Sequence, residues 1–334
     1  MAAHRAGVIL SCLLAISILC ILAACVIGSA EVSFGDLLEG LRALVSGTPG
    51  SLAATLLDLR LTRALTAFVT GGTLALAGVM MQALLRNPLA DPYVLGVSGG
   101  AAVGALFAML FFASLWVVDL AAFGGAIAVA LLLFLLAYRD LRGGVVEGNA
   151  SLLLLTGVIV ASGCGALVTL ILSIAPDSRL RGMVFWMIGD LSGASWRWLP
   201  FFVLAGALLF SIKVARAINV LALHADVAAT LGIQVNSLRQ GLFVCAALLT
   251  ASAVSTAGSI GFVGLIVPHA CRFALGADHR LLLPSATLVG GTFLVLADTI
   301  ARSILAPQQL PVGVITALIG VPIFLLQLHH MHRR

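Results

Sequence analysis

Ten apolar runs, each bounded by a charge or a turn, leave this chain only one kind of surroundings in which to fold. They lie near 7–29, 64–85, 93–113, 117–138, 150–174, 198–215, 240–258, 261–274, 281–304 and 312–328. Most approach the roughly twenty residues that a helix needs to cross a bilayer, and the run at 261–274 is short. The 334 residues are 61% hydrophobic and 9% charged, whereas about a quarter of a soluble domain is charged. Backbone groups inside hydrocarbon must be satisfied within each segment, so the spans are helices. The expected fold class is an all-α polytopic membrane protein with about ten transmembrane helices, packed through small residues that the 35 glycines supply.

The first run follows His4 and Arg5 and is long enough to span, so it reads as a transmembrane helix and not as a cleaved leader. With a cytoplasmic N-terminus, eleven of the 18 basic residues fall inside: Arg5, Arg86, Arg139, Arg142, Lys213, Arg216, Arg239, Arg272, Arg280, Arg333 and Arg334. Seven stay outside: Arg42, Arg60, Arg63, Arg179, Arg181, Arg197 and Arg302. This excess places both termini in the cytoplasm. It also explains the net charge of +5 without nucleic acid, because no basic patch is interleaved with aromatics. Trp116, Trp186, Trp196 and Trp198 fall at the outer interface, where amphipathic rings prefer to sit. The six cysteines show no short paired spacing and read as small core residues.

Catalytic signals are sparse. Gly96-Val97-Ser98-Gly99-Gly100 matches a nucleophile elbow and a rhomboid-like intramembrane serine motif. A serine nucleophile needs a base in reach, and only His269 lies within a span, with no evident carboxylate to orient it. Helix packing by small residues is the favoured reading of the motif. ATP hydrolysis by this chain is excluded, because the phosphate loop needs Gly-Lys-Ser/Thr and the sole lysine, Lys213, follows Ile212. No metal-ligand cluster stands out; the His329-His330-x-His332 tail reads as a positive cytoplasmic end.

Four polar stretches are more than turns. Residues 86–92, Arg-Asn-Pro-Leu-Ala-Asp-Pro, break two apolar runs and need water or a protein-lined cavity to satisfy their backbone. Glu31 to Asp58 contains the amphipathic pattern FGDLLEGLRALV and reads as short helices on the outer surface. Asp177 to Trp198 lies on the same side. Ile218 to Arg239 reads as a short helix ended by Gly232 and a second segment, either a docking element or a solvated loop. Arg60 and Arg63, three apart, can share one helix face, and Arg302 ends another helix on that side after Asp298. They either anchor helix ends at the headgroups or receive a partner's carboxylates.

From Arg60 onward, RLTRALTAFVTGGTLALAGVMMQALLRNPLADPYVLGVSGGA, FWMIGDLSGASW, GSIGFVGLIVPHACRFALGADHRLLLP, LADTIAR and LPVGVITALIGVPIF follow one another in order. Together they resemble the FecCD-type permeases of binding-protein-dependent metal-chelate importers, which serve iron siderophores, haem and vitamin B12. The resemblance implies a type II ABC importer permease fold and a single transmembrane permease domain over 1–334. Residues 30–59 would then be a periplasmic segment and 216–239 a cytoplasmic coupling loop. It implies a homodimer with the pathway at the subunit interface, two cytoplasmic ATPase subunits, a periplasmic binding protein and the bacterial inner membrane. ATP and magnesium would be bound by the partner ATPase, with no cofactor in this chain.

The same resemblance carries roles to particular residues. Arg60, Arg63 and Arg302 match the positions that receive acidic residues of the binding protein. Asn87 and Leu89, with Ala150 and Ser151, match the cytoplasmic gate. Leu221 to Gly232 matches the ATPase-coupling element, with Leu223, His224, Ala225, Asp226, Ala229, Leu231 and Gly232 as its residues; His224-Ala225 replaces the family's usual Gly-Glu. Gln309 stands where the family commonly has glutamate. The expected function is import of an iron chelate, siderophore or haem, with vitamin B12 as the alternative. The fifth span, from Ser151, and the tenth, from Val312, would line the pathway. Their few charges suit an intact chelate better than a bare ion. Two rivals remain: a serine protease using Ser98, and a proton-driven carrier using Asp298.

Overall fold

The computed structural model describes residues 2–28, 52–112, 114–136, 149–223 and 225–332. In chain order these form α1 (Ala2–Val26), α2 (Leu52–Leu85), a 3-10 turn (Pro92–Leu95), α3 (Val97–Phe111), α4 (Leu115–Leu136) and α5 (Asn149–Ile174). There follow α6 (Asp177–Ile188), α7 (Trp198–Leu223), α8 (Ala225–Thr230), α9 (Val235–Ala257), α10 (Val263–Leu275), α11 (His279–Ser303) and α12 (Val312–His332). Seven helices are long and apolar enough to cross a membrane, and α3, α10 and α12 are shorter apolar helices. A helix therefore stands at each of the ten apolar runs. Most of the Glu31–Asp58 stretch lies outside the described residues.

Hydropathy misplaces two helix ends by the widest margin. α2 has 34 residues and begins at Leu52, not near 64. At 1.5 Å per residue it is about 51 Å long, well beyond a hydrocarbon core of about 30 Å. α7 likewise runs on to Leu223, past the expected end at 215. In both, charged residues end the apolar run while the backbone hydrogen bonding continues.

α2 is the central pillar. It packs against α11, α9, α10, α7 and α1, and its apolar stretch is buried nearly all round. Close approach depends on missing side chains: a Cβ at Gly71 would lie 2.2 Å from the Gly290 carbonyl oxygen, and one at Gly78 would lie 1.9 Å from that of Gly264. Helices α1, α5 and α7 are mostly exposed, as expected for elements that face lipid or a partner.

Cys25, Cys164 and Cys271 are buried and Cys12 is exposed; all six cysteines are free thiols. Trp196 and Trp198 stack edge to face beside Phe201 in an exposed aromatic group. Trp186 instead packs against the core, because the turn after α6 folds back onto the end of α9.

Candidate functional site

Three arginines and one aspartate gather where α1 ends and α2 and α11 pass each other. Arg60 and Arg63 lie three apart on α2, and Asp298 and Arg302 lie four apart on α11, so each pair shares a helix face. Arg63 holds the Asp298 carboxylate with its Nε at 3.0 and 3.1 Å and its Nη2 at 2.8 Å, a fork-on-fork pair. Its Nη1 donates to Gln309 Oε1 at 2.7 Å. Arg302 approaches the same carboxylate at 3.8 Å and donates to the Ala24 carbonyl. Arg60 Nη1 donates to the carbonyls of Cys25 and Val26 at 3.1 and 2.9 Å.

The arginines expected to receive a partner thus also hold their own chain. The last carbonyls of α1 have no intrahelical donor, and two guanidinium groups cap them where the helix dipole is negative. Exposure is small: 8% for Arg60, 4% for Arg302 and 1% for Asp298. Gln309 is neutral, and Arg63 and Arg302 share the Asp298 carboxylate. The sequence signal for the inner partner was present in the i, i+4 spacing of Asp298 and Arg302; nothing in it pointed to the α1 carbonyls.

The break at 86–92 satisfies itself. Arg86 takes φ +49°, in the left-handed region, which lets Asn87 N–H reach Gln82 O at 3.1 Å and Arg86 N–H reach Ala83 O at 3.4 Å. This closes the end of α2 in the Schellman pattern, usually made with glycine. Asn87 Oδ1 then accepts from Leu89 N–H at 2.9 Å, and Asp91 Oδ1 accepts from Tyr93 N–H at 2.7 Å, capping the 3-10 turn. Burial pushes the Asp91 carboxyl up to about 6, opposed by that backbone bond. The neighbouring contact with α5 is at Gly157 and Ala161, where a Cβ on Gly96 would meet backbone at 3.2 Å. Ala150 and Ser151 lie in the first turn of α5, at least six residues earlier, and their side chains are outside the described residues.

The stretch expected to couple to the ATPase contains α8, closed by Gly232 at φ +79°. Gly232 N–H bonds to Ala229 O and Ile233 N–H to Ala228 O, both at 3.0 Å, the same closure as at Arg86. Leu223, Ala225 and Asp226 lie on helical backbone, Ala229 belongs to α8, and Leu231 is exposed in the turn after it. His224 lies outside the described residues. Ser98 stands in the first turn of α3, and no hydrogen bond joins it to a histidine among the described residues. Its neighbours Gly99 and Gly100 face the Cys164 side chain and the Gly125 carbonyl. The motif is a helix start and a packing seam.

One junction was not foreseen as such. Gly313 N–H bonds to Gly189 O at 3.2 Å, Asp190 N–H to Ala257 O at 2.9 Å, and Ile260 N–H to the Tyr93 hydroxyl at 3.1 Å. A Cβ on Gly258, at φ +71°, would lie 2.0 Å from Trp186 O, and one on Gly313 would lie 1.7 Å from Ile188 O. Segments spread over the sequence as IGDLSG, GSIGF and LPVG thus meet through backbone, and DPYVLG joins them through the Tyr93 side chain.

Among the described residues nine apolar helices accompany the buried pillar α2, with a capped break and a short helix after α7, the architecture of a multi-pass membrane protein. The FecCD transport family model matches residues 13–330, and the chain belongs to that family. It is 41% identical over 280 residues to the hemin transport system permease protein HmuU of Yersinia pestis, covering 80% of this chain and 81% of that one. It is also 41% identical over 284 residues to the cobalamin import system permease protein BtuC of Halobacterium salinarum, covering 84% and 74%. A solved structure described as an inward-facing metal-chelate type ABC transporter superposes with TM-score 0.83 at 30% identity, covering 97% of this chain and 99% of that one. The chain is a permease subunit of this transport family and not itself an enzyme; ATP hydrolysis belongs to a separate subunit.

Proposed function

We propose that this permease moves an intact iron chelate, a siderophore complex or haem, from periplasm to cytoplasm, driven by two cytoplasmic ATPase subunits bound to a permease homodimer. The observation that carries the chelate reading is the exposed face of α5. Ser162, Gly163, Gly165, Thr169 and Ser173 lie on it. The three hydroxyls donate back to Val158, Gly165 and Thr169 carbonyls at 2.8–2.9 Å, so the face is uncharged and its donors are occupied. Such a wall suits a ligand that carries its own coordination shell, whereas a bare ion would need oxygen or imidazole ligands.

In this reading Arg60, Arg63 and Arg302 are the docking patch for acidic side chains of the binding protein. Asn87 and Leu89, opposite Ala150 and Ser151, form the cytoplasmic gate. Leu223 to Gly232 transmits ATPase closure. Both termini are cytoplasmic and the membrane is the bacterial inner membrane. Each state must bind its partners with different affinity for the cycle to turn.

A cobalamin substrate is the second reading, supported by an identity to the archaeal BtuC equal to that with HmuU. The test reconstitutes the permease with its ATPase and binding protein in liposomes and measures ATP hydrolysis with haem, a ferric siderophore or cobalamin. Stimulation and uptake with haem or siderophore are expected. Stimulation by cobalamin alone selects the second reading, and uptake that persists without the ATPase refutes both.

A further inference from the structure

A pocket of about 490 Å³ opens between the end of α2, the far end of α7 and the loop joining α10 to α11. Gln82 and Arg86 line it from α2, Asn219 from α7, Arg272 from α10, and Asp278 and His279 from the start of α11. Neither arginine has an ion pair among the described residues. Asp278, the carboxylate on the wall, is committed elsewhere: it accepts from Asn219 Nδ2 at 2.7 Å and from Arg280 N–H at 3.0 Å, capping α11. Those bonds hold its carboxyl below the usual carboxylate range.

Two polar atoms on this wall are buried without a partner, His279 Nε2 and Gln82 Oε1, on side chains only 4% and 3% exposed. Both groups are oriented by their other ends. Asn219 turns its amide nitrogen to Asp278, so its oxygen faces His279 Nδ1 at 2.7 Å; Nδ1 carries the hydrogen and Nε2 is an acceptor. Gln82 Nε2 donates to the Leu265 carbonyl at 3.3 Å, which leaves Oε1 as an acceptor too. Arg86 is held at a positive φ of 49°, a conformation a glycine would adopt more easily. The wall therefore offers two cations for an anion and two buried acceptors that lack donors, an expensive arrangement when empty.

A phosphate carrying hydroxyls on the same molecule meets both needs. We propose that this pocket binds the headgroup of an anionic, hydroxyl-bearing phospholipid of the phosphatidylglycerol type, its phosphate on Arg86 and Arg272 and its hydroxyls donating to His279 and Gln82. Basic pockets between transmembrane helices at the headgroup level are suited to such lipids. That this end faces the inner leaflet rests on the topology proposed above; the binding chemistry does not.

The test titrates the purified full-length chain, in neutral detergent, with phosphatidylglycerol, phosphatidic acid, phosphatidylcholine and free glycerol 1-phosphate, and counts retained molecules by native mass spectrometry. Phosphatidylglycerol is expected to be retained most tightly. Arg86→Gln with Arg272→Gln should weaken it about 30-fold, about fivefold per arginine at the headgroup level. Lys213→Gln should leave it unchanged, and His279→Phe should erase the preference over phosphatidic acid. If the double variant does not fold, Arg86→Gly, which suits the positive φ, should still give the fivefold loss.

Retention of glycerol 1-phosphate with the same arginine dependence, without lipid, overturns the lipid and keeps the phosphate site. Equal retention of phosphatidylglycerol and phosphatidylcholine, or no loss in the variants, overturns the proposal. So does a double variant that keeps lipid but no longer copurifies with the ATPase, because the pocket would then be a protein contact. The lipid readout uses the permease alone in a micelle, so it stands or falls separately from the assigned substrate and orientation.

Discussion

Asp298 shows how much one residue can organise. Its carboxylate is 1% exposed and accepts the fork of Arg63 while Arg302 approaches from the next turn. Asp298→Asn keeps the shape and removes the charge, leaving two guanidinium groups poorly compensated. Breaking a buried pair in this way costs about 3–5 kcal/mol, so the variant should unfold at a clearly lower temperature in detergent. Gln309→Glu adds a second carboxylate beside Arg63 Nη1 and should hold or raise that temperature. An Asp298→Asn variant as stable as wild type would mean that the cluster does not hold α1, α2 and α11 together. At Asp91 the sign is reversed. Burial raises its carboxyl from an ordinary value near 3.8 to about 6, so between those values the folded chain binds the proton more tightly than the unfolded one. Its contribution to stability is present below that window and is lost as pH rises through it. Asp91→Asn preserves the oxygen that caps Tyr93 N–H and removes the charge. Its melting temperature relative to wild type should therefore climb between about pH 4 and pH 7 and then level off. A difference that does not vary with pH would refute the assignment.

At the scale of elements, hydropathy located the membrane crossings but not the helix ends. Arg60 and Arg63 stop an apolar count, yet both have partners at hand, so α2 continues straight through them to Leu52. In the proposed topology three of the outer arginines, which run against the usual inside excess of positive charge, acquire a local cause. Arg60 and Arg302 cap the C-terminus of α1, and Arg179 donates to the carbonyls of Met109 and Leu110 at the end of α3. Both ends lie on one side by the parity of the spans, and helix C-termini draw cations. Gly232 was legible as a helix stop because glycine tolerates a positive φ; Arg86 was not, because the same closure is there made by a residue that rarely adopts it. The contacts through glycine backbone were invisible for a further reason: which helices touch is a tertiary fact. They can be tested by comparison. Gly78→Ala drives a Cβ to 1.9 Å from the Gly264 carbonyl oxygen and forces α2 from α10, whereas Gly163→Ala on α5 meets nothing within 4 Å. The first should lower the yield of folded, monodisperse protein severalfold. The second should leave it unchanged or raise stability by up to about 1 kcal/mol, the helix-propensity gain.

For the whole molecule, the informative surface is the one that the monomer does not cover. Lipid is as apolar as leucine, so a helix facing hydrocarbon can present large side chains, while a helix facing another helix gains from small ones that allow backbones to approach. α7 presents Leu199, Phe202 and Leu209, 57%, 70% and 63% exposed. On α5 the exposed Leu155, Ile159 and Leu170 are accompanied by Ser162, Gly163, Gly165, Thr169 and Ser173, a mixture that lipid alone does not require. The buried side of α5 is narrow, with Cys164, Val168 and Ile171 against the bundle, so most of its circumference is left for something else. A second permease around a shared pathway fits that division. In a cysteine-free background, Thr169→Cys should form a disulfide-linked dimer under mild oxidation in membranes, and Leu209→Cys on α7 should not. Thr169→Trp should leave the monomer folded, because the side chain is exposed, while reducing chelate uptake by at least about tenfold through blocked assembly or passage. Crosslinking at Leu209 in place of Thr169 would put the partner on α7, and the uncharged face of α5 would then look onto lipid.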